Sequence, residues 1–281
     1  MRQLDHPTLL DVCSGIGGFS LAGERAGFRT VAFAEIDPYA SAVLRGHWPH
    51  VPNLGDIRCI TRRSVADRVD VIAGGFPCQP ASIGSGRPRG RRDDRWLWPA
   101  CARLLVEFQP AYALFENTPG LLSVDGGEAF RQVLTDLDAF GYDVLWNCIP
   151  AAAVGAPHER DRLWIVAHAH DGAGATERGQ HALAAPSGAG GAALALRGEV
   201  HAGRQEPVCV AGQAPGDSGA AGRWPASDWA VEPGMGRVAD GIPDRVDRLR
   251  CLGNAIVPAV AEILLRGIRV QLQLNRPDRG R

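Results

Sequence analysis

Six short apolar runs, at 9–12, 31–34, 69–73, 112–115, 143–148 and 163–167, punctuate the first 167 residues, with amphipathic stretches between most of them. This alternation marks an α/β domain built on a parallel sheet, because parallel strands need a helix-length crossover between them. The helix signals agree. Asp37-Pro38 sets a capping carboxylate and an N1 proline before YASAVLRGHW, SLAGERAGF follows a glycine turn, and 95–108 and 129–140 carry apolar residues at helical spacing. A last signal, Val257-Pro258 before AVAEILLRGI, closes the fold, with fraying expected beyond Gln271.

The alternation then stops. Half of residues 171–222 are Ala or Gly and none is Phe, Trp or Tyr, so few anchors offset the entropy of ordering them. A small, loop-rich, mostly non-helical and protease-sensitive insert is expected there, with Trp224 and Trp229 as its anchors. No run approaches the roughly 18 apolar residues that cross a bilayer, so no membrane partner is expected. No apolar leader core precedes Asp11, which makes the cytoplasm the expected location. Seven Cys without a C-x-x-C indicate reduced thiols, with neither a disulfide framework nor a metal site expected. All 30 basic residues are Arg, so a lone Arg carries less information than usual. The net charge of −1 excludes a general polyanion-coating protein and confines any nucleic-acid contact to a local basic patch.

Four stretches carry chemistry. Leu9 to Phe19 reads LLDVCSGIGGF, a strand running into a glycine turn and a helix start, which suits a nucleotide-like ligand and equally serves as a plain tight βα connection. About 20 residues on, Glu35 ends the next run, and Asp56 follows in GDI; acidic side chains there can accept hydrogen bonds from a ribose diol. Asp37 reads as a helix cap. GGFPCQPAS, directly after VDVIA, holds Cys78 between stiffening prolines at a sheet edge, the setting of a nucleophile. The other six Cys read as small buried hydrophobes. FENTPG brings Glu116, and APHERDR brings Arg160 and Arg162, to the same rim.

Taken in order, LLDVCSGIGGF, AEID, GDI, GGFPCQPAS, FENTPG, APHERDRLWIVA and LGNAIVP closely resemble the DNA cytosine-5 methyltransferase family. The resemblance spans residues 9 to about 168 and about 237 to 268. It implies a doubly wound, Rossmann-like α/β catalytic domain over 1–168, a target-recognition insert over 169–236 and a segment, 237–281, that returns to complete the domain. It implies S-adenosylmethionine as cofactor, lying against Ser14, Gly15, Ile16, Gly17 and Gly18, with Glu35 and Ile36 at the ribose and adenine, Asp56 and Ile57 at the adenine, and Asn254 and Ala255 at the methionine part. Cys78 is the implied nucleophile for carbon 6 of cytosine, Glu116 the group at the N3 edge, and Arg160 and Arg162 the pair orienting glutamate and base. Duplex DNA is the implied partner, with Gln79, Ser82, Arg87, Arg89, Arg91, Arg92 and His158 as candidate contacts and 82–95 as a basic loop that closes on the backbone or is simply solvated. A monomer is the expected form; a restriction endonuclease is a compatible partner and not a required one.

The chain departs from the family pattern at Cys13 and Ile36, where large side chains are common, at Thr118 for Val, and at His158 for Gln. Three rivals remain: an RNA cytosine-5 methyltransferase, a non-catalytic DNA- or cofactor-binding relative, and a nucleotide-level pyrimidine methylase. For Arg237, Arg245, Arg248 and Arg250, interleaved with Asp240, Asp244 and Asp247, an ion-pair surface and phosphate contacts are equal expectations.

Overall fold

A computed structural model of the chain describes residues 6–77, 96–170 and 244–275. Cys78, Gln79, Ser82, Arg87, Arg89, Arg91 and Arg92 lie outside the described residues, as do residues 171–236 of the expected insert, with Trp224 and Trp229, and Arg237, Asp240 and residues 276–281. The strands are β1 (Thr8–Val12), β2 (Arg29–Ala34), β3 (Val71–Gly75), β4 (Tyr112–Asn117), β5 (Tyr142–Ile149) and β6 (Arg162–Ala169). Each falls on an apolar run expected to form one. The helices are α1 (Gly18–Ala26), α2 (Pro38–His47), α3 (Trp98–Phe108), α4 (Glu128–Ala139), α5 (Arg245–Asn254) and α6 (Pro258–Leu274). Asp37 caps α2 as expected, its carboxylate accepting from the Ala40 N–H at 2.9 Å. At the C-terminus, α6 continues three residues past the point where fraying was expected.

The strands form one sheet in the order β2-β1-β3-β4-β6-β5. From β2 to β4 all neighbours are parallel, whereas β6 runs antiparallel to both β4 and β5. The sheet is thus mostly parallel, and the departure from a fully parallel one lies at β6. Only the 3-10 turn Ala151–Val154 lies between β5 and β6. A connection lacking an α-helix does not build a parallel crossover, so β6 returns as a hairpin. The reversal has a consequence for the site: the start of β6, with Arg160 and Arg162, comes to the edge where β1 to β4 end.

Strand alternation divides the core into two layers. Leu10, Val12, Ile72, Ala113, Phe115 and Ile165 face α3 and α4, while Leu9, Val71, Ala73, Leu114 and Trp164 face α1 and α6. Helices on both faces make the sheet doubly wound. The C-terminal part Val246–Leu274 has the length and hydropathy of a bilayer-crossing helix, which the sequence reading did not anticipate. It is two helices, broken at 255–257, and the second buries Val260, Ala261, Leu265 and Ile268 in the core layer shared with α1. Arg269 of α6 also donates to the Ala26 carbonyl at the C-terminus of α1, 2.9 Å away.

Candidate active site

At the C-terminal edge of β1 to β4 lies a cavity of about 290 Å³. Of the expected site residues, Gly15, Glu35, Ile36, Asp56, Ile57, Glu116, Arg160, Arg162 and Asn254 line it. Ser14, Ile16, Gly17, Gly18, Ala255 and His158 do not. The Ser14 hydroxyl is taken up internally, donating to the Asp11 carbonyl at 2.7 Å and accepting from the Ala34 N–H at 3.2 Å. Gly17 is left-handed (φ 87°) beneath the Trp48 ring, and a Cβ on Gly18 would sit 2.6 Å from Ile256. These two glycines are explained by packing. Gly15, also at positive φ (53°), has nothing within 4 Å of where a Cβ would be, so its backbone is open to the cavity. His158 is exposed on the loop before β6.

Glu35 holds the glycine turn from the cavity side. One of its oxygens accepts the Gly15 N–H and the other the Asp37 N–H, both at 2.7 Å. Asp56 sits at the rim in a bidentate pair with Arg58, 2.7 Å at its shortest, and that guanidinium holds its carboxyl below the usual carboxylate range. Ile57 is buried beneath it and Ile36 stands exposed at the cavity edge.

Glu116 ends β4 with its side chain almost fully enclosed, and one oxygen accepts from Arg162 Nε at 2.9 Å. Burial pushes its carboxyl up to about 7, against the downward pull of the Arg162 and Arg160 charges. Glu116 can therefore carry a proton near neutrality. Arg160 does something the sequence did not announce: its guanidinium donates to the carbonyls of Gly253 and Ala255, at 2.7 and 2.6 Å. It holds a φ of 111°, rare for a non-glycine residue and strained. Arg162 is thus the arginine that pairs with Glu116, and Arg160 fastens the C-terminal wall of the cavity. That wall is α5, whose Arg250 bridges to Asp37 at 2.7 Å and Asp247 at 2.8 Å. For Arg250, the ion-pair expectation holds.

Asn117 was legible only as part of a motif. Buried at the end of β4, it donates from its amide to the Phe76 carbonyl at 3.1 Å while its oxygen accepts from the Thr118 N–H. It pins the strand leading to Cys78 two residues before the thiol. Asp11 was missed altogether, because it sat inside an apolar run. Among the other described cysteines, Cys101 is buried as expected, but Cys59 is exposed and Cys13 and Cys251 line the cavity. Burial pushes the Cys13 thiol well up and the Cys251 thiol up, away from thiolate character. Among the described residues no group of three or more His, Cys, Asp or Glu is arranged to hold a metal ion.

A doubly wound sheet with a reversed hairpin strand and a cleft at its C-terminal edge defines a Rossmann-like methyltransferase fold. It is shared with the crystal structure of a prophage-encoded E. coli protein designated a DNA modification methyltransferase, at 28% identity and a TM-score of 0.50 over 58% of this chain and 47% of that one. The chain belongs to the C-5 cytosine-specific DNA methylase family, whose model matches residues 8–186. Similar relatives are the Type II methyltransferases M.BsuFI of Bacillus subtilis, 35% identical over 57% of this chain and 38% of its own length, and M.NgoMIV of Neisseria gonorrhoeae, 38% identical over 57% and 51%. The match thus spans about half or less of these relatives' length.

Proposed function

We propose that the chain is a DNA (cytosine-5)-methyltransferase that moves a methyl group from S-adenosylmethionine to carbon 5 of a flipped-out cytosine in duplex DNA, through a covalent adduct of Cys78 at carbon 6. The observation that carries this reading is the pair of buried Glu116 with Arg162 in the same cavity that Pro77, the residue before Cys78, also lines. A carboxyl able to hold a proton and a thiol expected to attack are needed within reach of one ring. Cys78, outside the described residues, follows Pro77 directly in the chain.

The cavity suits the cofactor by the chemistry of its donor set. Acidic Glu35 can accept from a ribose diol, the open Gly15 backbone admits the methionine part beside Asn254, and Ile36 and Ile57 offer apolar surface to a purine. When bound, S-adenosylmethionine supplies an electrophilic methyl. The chain's own residues prepare the base to take it. The Cys78 thiolate adds to carbon 6, and the carbon 5–carbon 6 π pair becomes an enamine nucleophilic at carbon 5. Glu116 hydrogen-bonds the N3 edge and delivers a proton to N3, while Arg162 holds the glutamate and limits the cost of charge on the ring. After methylation the carbon 5 proton leaves to water or hydroxide, the carbon–sulfur bond breaks to restore the thiolate, and the N3 proton returns to Glu116. A stacked base is inaccessible to this chemistry, so the cytosine must leave the duplex. The Arg-rich stretch 82–95 is proposed to close on the phosphates around it.

The test is incubation with methyl-labelled S-adenosylmethionine and unmethylated duplex DNA, wild type beside Cys78→Ser, followed by bisulfite sequencing. Label at carbon 5 of cytosines in a recurrent sequence, lost in the variant, is expected. Label in RNA alone would overturn the assignment to DNA.

A further inference from the structure

The period-two register of β1 directs Asp11 to the same face as Leu9, into the layer shared with α1, where its cross-strand neighbours are Phe33 and Ala73. It is 0% exposed. A carboxylate in such a place must answer a specific need. Its Oδ2 accepts from both the Ser20 N–H at 3.1 Å and the Ser20 hydroxyl at 2.7 Å, while Oδ1 is buried with no partner in reach. Ser20 is the third residue of α1, and the residue at the cap, Gly17, has no side chain to satisfy that N–H. Asp11 therefore does from inside the sheet what an N-cap side chain does from the chain itself. The turn between them, 13–17, is held on its other side by Glu35 through Gly15.

We propose that Asp11 is a positioning residue for the cofactor site, its buried carboxylate fixing the start of α1 so that the Gly15 backbone stays open to the cavity. This rests on the cofactor reading above. Ionised, the group is a stronger acceptor and lies at the positive end of α1. Burial, with Glu35 as the like charge facing it from the end of β2, pushes its carboxyl up to about 7, and the Ser20 bonds pull the other way. The hold on the turn should therefore tighten as pH rises through neutrality.

S-adenosylhomocysteine binding by calorimetry from pH 6 to 8, in a Glu116→Gln background that removes the other carboxyl pushed up to about 7, tests this. Affinity is expected to rise several-fold with pH, the rise to vanish in Asp11→Asn, and its midpoint to move up in Ser20→Ala, which loses only a hydroxyl donor. Protection of the Ser20 and Gly17 amides from hydrogen exchange, taken against the intrinsic rate at each pH and measured without ligand, should increase over the same pH range in the parent and not in Asp11→Asn. If Asp11→Asn keeps the parent's pH dependence in both readouts, or Ser20→Ala leaves the midpoint in place, the proposal fails. Absence of S-adenosylhomocysteine binding at every pH, with the exchange pattern intact, overturns the cofactor reading and leaves Asp11 as the cap that sets the turn.

Discussion

Asp11 and Glu116 are carboxyls that the fold withholds from water, and both are pushed up to about 7. A group that binds its proton more tightly when folded stabilises the protein below its folded value, and that stability drains away as pH climbs from the unfolded value toward the folded one. For these two the window runs from about 4 to about 7. Unfolding by denaturant is expected to show stability falling between about pH 4 and pH 7, Asp11 alone accounting for on the order of 4 kcal/mol at about 1.4 kcal/mol per pH unit. Asp11→Asn should remove about half of that slope and leave the Glu116 share. A wild-type stability that rises over this range would contradict the burial argument. Stability given up at a buried charge that a site needs is a familiar exchange in enzymes. At this scale the sequence was legible where a residue broke a pattern visibly, as Cys78 does between its prolines. Asp11 breaks the pattern inside a run of apolar residues, where a single carboxylate reads as noise until strand register shows that it points into the core.

Each described strand, and every described helix but one, could be read from apolar periodicity, because each buries a stripe. The exception is α5. None of its described side chains is buried in the core, its Arg and Asp alternate, and Val246, Leu249 and Leu252, spaced three apart, are exposed, so that short apolar spacing among charges does not mark a core-facing helix. Tertiary clamps hold it: the Arg250 bridge to Asp37 and the Arg160 hydrogen bonds to Gly253 and Ala255. Strand direction was also hidden, since an apolar run looks alike both ways and only the helix-free link before β6 betrays the reversal. Arg160→Ala should release the wall carrying Asn254. A loss of about tenfold in S-adenosylhomocysteine affinity, near 1.4 kcal/mol, is expected by calorimetry, with Glu116 still paired to Arg162. Unchanged affinity would mean that α5 is held without it.

Across the whole molecule, one edge of one sheet gathers side chains from β1, β2, β4, the start of β6 and the C-terminal helices. The order of those side chains in the sequence carried the family resemblance, and the family match confirms it. What pattern reading could not supply was the division of labour between Arg160 and Arg162, which depends on which carbonyls lie within reach after the chain returns. The central claim is that Cys78 bonds to the base. Duplex DNA carrying 5-fluorocytosine tests it most directly, because fluorine in place of the carbon 5 proton blocks the elimination that frees the thiol. With S-adenosylmethionine present, wild type is expected to form a complex with this DNA that survives denaturing electrophoresis, and Cys78→Ser none. A denaturation-stable complex with Cys78→Ser, or none with a wild type that binds both DNA and cofactor, would contradict the account.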